Sequence, residues 1–105
     1  MFSRVMLLEI DTLRVAMSDA LDLFKVDVLP RLREWEGYEG VLVLTTPEGK
    51  AMIVTFWESE DAAINAAAFG TGALAEHAAL FKAPPGRDHY EVSVLEAPGV
   101  NVARE

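Results

Sequence analysis

The chain has 105 residues, 51% of them hydrophobic, and seventeen acidic against nine basic residues give it a formal charge of −8. That length makes one domain with enough apolar material for a core. The charge argues against nucleic acid and anionic membrane surfaces as partners, since no basic stripe offsets it locally. With no cysteine there are no disulfides, zinc–thiolate sites or thiol nucleophiles.

Met1-Phe2-Ser3-Arg4 lacks the charged start and long apolar run of a signal peptide, and no stretch approaches membrane-spanning length. A soluble cytoplasmic protein is expected. Val5–Ile10 reads as a first strand ended by Asp11-Thr12. Met17, Leu21, Phe24, Val28, Leu32 and Trp35 then recur at helical spacing and form one stripe, with Thr12 or Ser18 as the expected cap. Pro30 cannot donate to the carbonyl of Val26, which predicts a kink or break. Gly37 and Gly40 stop the helix, and a second strand covers Val41–Thr45. Thr46-Pro47-Glu48-Gly49 is a turn and Lys50–Trp57 a third strand. Ser59 is placed to cap a helix over Ala62–Phe69, with Glu60 and Asp61 favouring its first turn. Gly70-Thr71-Gly72 is expected to break that helix, and a further piece runs to Lys82. A loop of Ala83-Pro84-Pro85-Gly86 leads to a last strand over His89–Leu95.

The order β-α-β-β-α-β is the ferredoxin-like split unit, an α+β fold with both helical segments on one face of an antiparallel sheet. Val41–Leu44 and Ala51–Trp57 do not alternate apolar with polar as a half-wet hairpin does. Both faces of the sheet therefore need cover, and the helices supply only one. The same face of a second copy would cover the other, so a homodimer is expected.

Phe56-Trp57-Glu58-Ser59-Glu60-Asp61-Ala62, closing a strand and opening a helix, resembles the antibiotic-biosynthesis-monooxygenase-like family of dimeric α+β barrels. Val28-Leu29-Pro30 followed by Gly37-Tyr38-Glu39-Gly40 is similar to that family's other recurring feature, and the resemblance runs from about Arg4 to Ala97. It implies a homodimer whose two sheets close a barrel, with a pocket in each protomer between sheet and helices. Relatives include cofactor-free oxygenases of aromatic phenols and haem-degrading enzymes. Trp57 matches the tryptophan at the substrate of the oxygenases. Their asparagine four residues earlier is Ile53 here, and their tyrosine six residues later is Ala63. His77 matches the iron-ligating histidine of the haem-degrading branch only with two residues inserted around Gly70-Thr71-Gly72. That branch's first-strand asparagine is Met6 and its second-helix tryptophan is Ala66.

Trp57 reads first as a core aromatic whose indole N–H needs a partner at the strand end. Small alanines beside the sheet leave room for a pocket lined by Ile53, Trp57, Phe69 and Phe81, suited to an apolar, planar ligand. Asn65 and His77 are the candidate catalytic groups, an amide within reach of a carbonyl or phenol and an imidazole that titrates near neutrality. His77 and His89 stand in no chelating pattern, so no metal site is expected. Nor is there a nucleophile elbow, P-loop or dinucleotide fingerprint. The enzymatic expectation is a cofactor-independent monooxygenase acting on a small phenol- or quinol-like aromatic. The alternatives are a non-catalytic protein of the same fold holding haem or another apolar ligand, and a purely structural dimerisation module.

Overall fold

The computed structural model describes residues 1–76 and 86–96. Strand β1 (Phe2–Glu9) is followed by a helical run made of α1 (Met17–Leu23), a π-turn (Phe24–Val28) and α2 (Leu29–Arg33). Strands β2 (Tyr38–Thr45) and β3 (Lys50–Trp57), helix α3 (Glu60–Glu76) and strand β4 (Gly86–Glu91) complete the chain order. The four strands form one antiparallel sheet in the order β2-β3-β1-β4. This is the α+β, ferredoxin-like arrangement expected from the sequence, with β1 and β3 in the middle and β2 on an edge.

Several local expectations are corrected. β1 starts at Phe2 because Phe2 pairs with Trp57 and Glu91, and Ile10 is held beyond its end by donating to the Gly49 carbonyl at 2.7 Å. Neither Thr12 nor Ser18 caps α1. The cap position is Ala16, which makes no side-chain hydrogen bond, while Asp11 accepts from the Leu13 N–H at 3.2 Å. Pro30 does not break the helix. The Leu29 N–H reaches back five residues to the Phe24 carbonyl, and the widened turn carries the chain past the proline with no loss of helical backbone.

β3 occupies the expected residues, and Ser59 caps α3 as predicted, its Oγ accepting from the Ala62 N–H at 3.1 Å. α3 runs unbroken through Gly70-Thr71-Gly72. An internal glycine costs a helix only about 1 kcal/mol relative to alanine, and the buried Ala63 and Ala66 hold this helix on the core. β4 lies over Gly86–Glu91 instead of His89–Leu95, since its extent is set by the partner residues Phe2–Leu7.

The sheet has two different faces. Arg4, Met6 and Leu8 of β1 stand beside Thr55, Ile53 and Ala51 of β3 and face the helices. The other set, Val5 and Leu7 with Leu42, Leu44, Met52 and Val54, faces away. On that outer face Leu7 is 53% exposed and Leu44 50% exposed. The core lies under α3, where Trp57, Leu32, Ala63 and Ala66 are buried together. Gly37, with φ at +84°, lets the start of β2 pass close to α3, since a Cβ there would lie 2.5 Å from that of Ala62. Among the described residues, no helix is long and apolar enough to cross a membrane.

Candidate functional site

A cavity of about 110 Å³ lies between the inner face of the sheet and the helical run. The spacing that put Met17, Leu21, Phe24, Val28 and Leu32 on one stripe brings all five to its wall. Its floor is the inward set of strand residues, Met6, Leu8 and Arg4 from β1, Val43 and Thr45 from β2, and Ile53, Thr55 and Trp57 from β3. Ala66 and Phe69 of α3 close one end. The volume is of the order of the ~150 Å³ engineered apolar cavity that holds a benzene, and so matches a single aromatic ring.

Trp57 anchors the site. It is 1% exposed, and its Nε1–H donates to Thr55 Oγ1 at 2.9 Å. Tyr38 meets it edge-on with ring centroids 5.8 Å apart. Thr55 is two residues back on the same strand and therefore on the same face. The partner that the indole needed is thus supplied by its own strand. Burial raises the Tyr38 hydroxyl above the ordinary tyrosine range, and nearby Arg33 pulls it partly back. Phe69 is fixed from the helical run, with Trp35 stacked on it at 5.2 Å and the Arg31 guanidinium 5.1 Å above its ring. Arg31 is itself steadied by donating to the Asp27 carbonyl at 3.0 Å and to its carboxylate at 3.2 Å.

Of the residues singled out from the sequence, Ile53, Trp57 and Phe69 are brought to the cavity. Asn65 is not. It is exposed on α3, while Ala63 and Ala66 carry that helix's buried side. Phe81 and His77 lie outside the described residues. The alanines act differently from expectation. Their small size brings α3 down onto Trp57, and the open space lies under the helical run.

Sequence reasoning missed Arg4 and Thr55. Arg4 is 4% exposed and is the sole charged side chain among the described residues lining the cavity. Its Nη1 lies 3.4 Å from the Met6 sulfur, and its carbonyl accepts from the Thr55 hydroxyl at 3.4 Å. The signal was parity, since Arg4 shares its strand face with Met6, Leu8 and Ile10. Among the described residues, no group of His, Cys, Asp and Glu is placed to hold a metal ion. Among the described residues, the cavity wall carries no histidine or tyrosine to ligate haem iron.

No protein-family model matches the chain. No curated protein matches it either. Solved structures do. A monooxygenase from the ActVA-Orf6 gene of Streptomyces coelicolor, in complex with nanaomycin D, is 20% identical with a TM-score of 0.64, over 91% of this chain and 92% of that one. A candidate antibiotic biosynthesis monooxygenase of Bordetella bronchiseptica is 17% identical with a TM-score of 0.68, over 90% and 97%. The chain shares the fold of antibiotic biosynthesis monooxygenase-like proteins. The haem-degrader MhuD of Mycobacterium tuberculosis has this fold too, at 18% identity and a TM-score of 0.64, over 92% of this chain and all of that one. At such identities the monooxygenase-like fold is what is shared.

Proposed function

We propose that this protein is a cofactor-independent monooxygenase acting on a small phenol- or quinol-like aromatic. The observation that carries the reading is the apolar cavity lined by Trp57 and Phe69, whose few polar lining residues are Arg4 and Thr55, side by side near Trp57, and Thr45 toward the other end of the sheet. A neighbour of the same fold that is a monooxygenase in complex with nanaomycin D supports it. A reduced phenol, once deprotonated, gives electrons to dioxygen itself. The protein then has to bind the ring, hold it in one orientation, exclude water and assist proton loss. For a phenol oxidised to its quinone, one atom of O₂ becomes the new carbonyl oxygen. The other leaves as water with the two hydrogens lost from the ring and the hydroxyl. Trp57 and Ile53 shape the ring's seat, and His77 is the proposed proton acceptor.

Dimerisation belongs to the same proposal. The outer sheet face, with Leu7, Leu42 and Leu44 exposed, is the surface a second copy would cover.

The test is oxygen uptake with single-ring quinols and phenols, with ¹⁸O₂ incorporation followed by mass spectrometry. Label in the product and loss of turnover in Trp57→Ala are expected. Tight ligand binding with no uptake across the panel would favour the alternative, a ligand-binding protein without turnover. Haemin titration separates the haem reading: no saturable Soret change is expected. Saturable binding abolished by His77→Ala would overturn that expectation.

A further inference from the structure

The cavity has the volume of one aromatic ring but not its shape. A round space of 110 Å³ would be about 6 Å across. The walls run much further. On the sheet side they follow the first strand from Arg4 on to Ile10, six positions of extended chain and so about 20 Å. On the helical side they follow one stripe from Met17 to Leu32, about 22 Å along the axis. The two lengths lie alongside each other. Leu32 packs with Trp57, two residues beyond the Thr55 that pairs with Arg4, while Met17 follows Ile10 by way of the loop 11–16. Neither α1 nor the π-turn buries a residue completely, so the helical run stands off the sheet over this stretch. The open space is a slot, thin and drawn out along β1.

The ends of the slot differ. Arg4 and Thr55 lie beside Trp57, with Tyr38 edge-on to the indole. Toward the other end Leu8, Ile10, Met17 and Leu21 are apolar, and Thr45 is the polar lining residue among those described. Ala20 and Ala51 line this end too, and their small side chains keep it open. A ring finds its aromatic neighbours at the Trp57 end. The remaining length is too thin for a second ring and suits methylene groups, which need no hydrogen-bond partner. We propose that the aromatic substrate carries an unbranched alkyl chain, its ring at Trp57 and Phe69 and its chain laid along Met6, Leu8 and Ile10 beneath the helical run. The inference rests on the aromatic-site reading above and names the substrate class that the site takes, alkylated phenols or quinols instead of bare rings.

The probes are 4-methyl-, 4-propyl-, 4-pentyl- and 4-heptylphenol, titrated into the native protein by calorimetry. Affinity should rise about three- to fourfold for each CH₂ drawn out of water, and 4-heptylphenol should bind at least about a hundredfold more tightly than 4-methylphenol. 4-tert-Octylphenol has more carbons in a bulky branched group and should bind more weakly than 4-heptylphenol, which separates a slot from a merely apolar surface. Ala20→Phe should fill the far end and lower the heptyl-to-methyl affinity ratio about tenfold or more. A flat series in the native chain overturns the proposal, and so does a branched phenol that binds as tightly as the linear one. Neither result needs a variant, so both stand even should Ala20→Phe not fold. An undiminished ratio in folded Ala20→Phe also overturns it. Binding of 4-methylphenol with a flat series leaves the aromatic site standing and removes the chain alone. Failure of every phenol to bind the folded protein overturns the aromatic-site reading itself, and this inference with it.

Discussion

Replacing Thr55 with valine keeps the shape of the side chain and removes the hydroxyl that accepts from the buried Trp57 N–H. The indole nitrogen and the hydroxyl are 2.9 Å apart, and neither residue exceeds 5% exposure, so water cannot substitute. Stranding a buried donor costs about 1–3 kcal/mol. The added methyl returns at most about 0.8 kcal/mol, and the 3.4 Å contact to the Arg4 carbonyl is too long to contribute much. The net expectation is a loss of about 0.5–2 kcal/mol, with roughly 4–8 °C of Tm for each kcal/mol in a domain of about this size. Urea unfolding followed by circular dichroism, at one fixed protein concentration, measures it. Thr55→Ser keeps the acceptor and serves as control. The decisive comparison is with Trp57→Phe, which has no N–H to strand. In that background Thr55→Val should cost nothing, giving a coupling of about 1 kcal/mol or more. An equal cost in both backgrounds would refute the hydrogen-bond account and assign the effect to packing.

Gly37→Ala should destabilise the chain by about 2 kcal/mol or more, from a left-handed backbone that costs an L-residue about 1–2 kcal/mol and from the collision with Ala62, measured by the same unfolding assay. Leu44→Asp on the outer sheet face should convert the proposed dimer to a folded monomer in sedimentation, with an unfolding free energy that no longer depends on protein concentration. Tyr38, whose hydroxyl is raised by burial, keeps its proton in the folded state to higher pH than in the unfolded state. Folding stability should accordingly be intact below the ordinary tyrosine value of about 10 and fall as the pH rises through the folded value. Tyr38→Phe should remove that part of the alkaline loss.

Elements bounded by chemistry were legible in the sequence. Lys50–Trp57 is an apolar run between a turn glycine and a capping serine, and the strand occupies those residues. The helical stripe expected from Met17 to Trp35 reaches the cavity as far as Leu32, because its periodicity survives the π-turn just before Pro30, while Trp35 packs on Phe69. Glycine was over-read at positions 70 and 72, where a capped, buried helix absorbs its propensity cost. Arg4 was invisible for a different reason. With the first strand begun at Val5, a basic residue near the N-terminus reads as a solvated charge. Its burial follows only from the pairing of Arg4 with Thr55, across 51 residues of sequence. Local pattern carries local structure, and the cavity's charge is a property of strand pairing.

The sheet order has a consequence for how the molecule is made. β1 is made before β3 and β4, yet it lies between them. Ser3 shares a hydrogen bond with Tyr90, 87 residues later. One edge of β1 waits for β3, and the other for nearly the whole chain. Closing such distant pairs is slow, because loop entropy is spent before the contacts form. A half-made chain therefore presents Val5, Leu7 and an unpaired backbone edge to its surroundings, a template for other strands. Slowed elongation before β4 is complete should raise aggregation during synthesis, since until then at least one edge of this inner strand is unpaired.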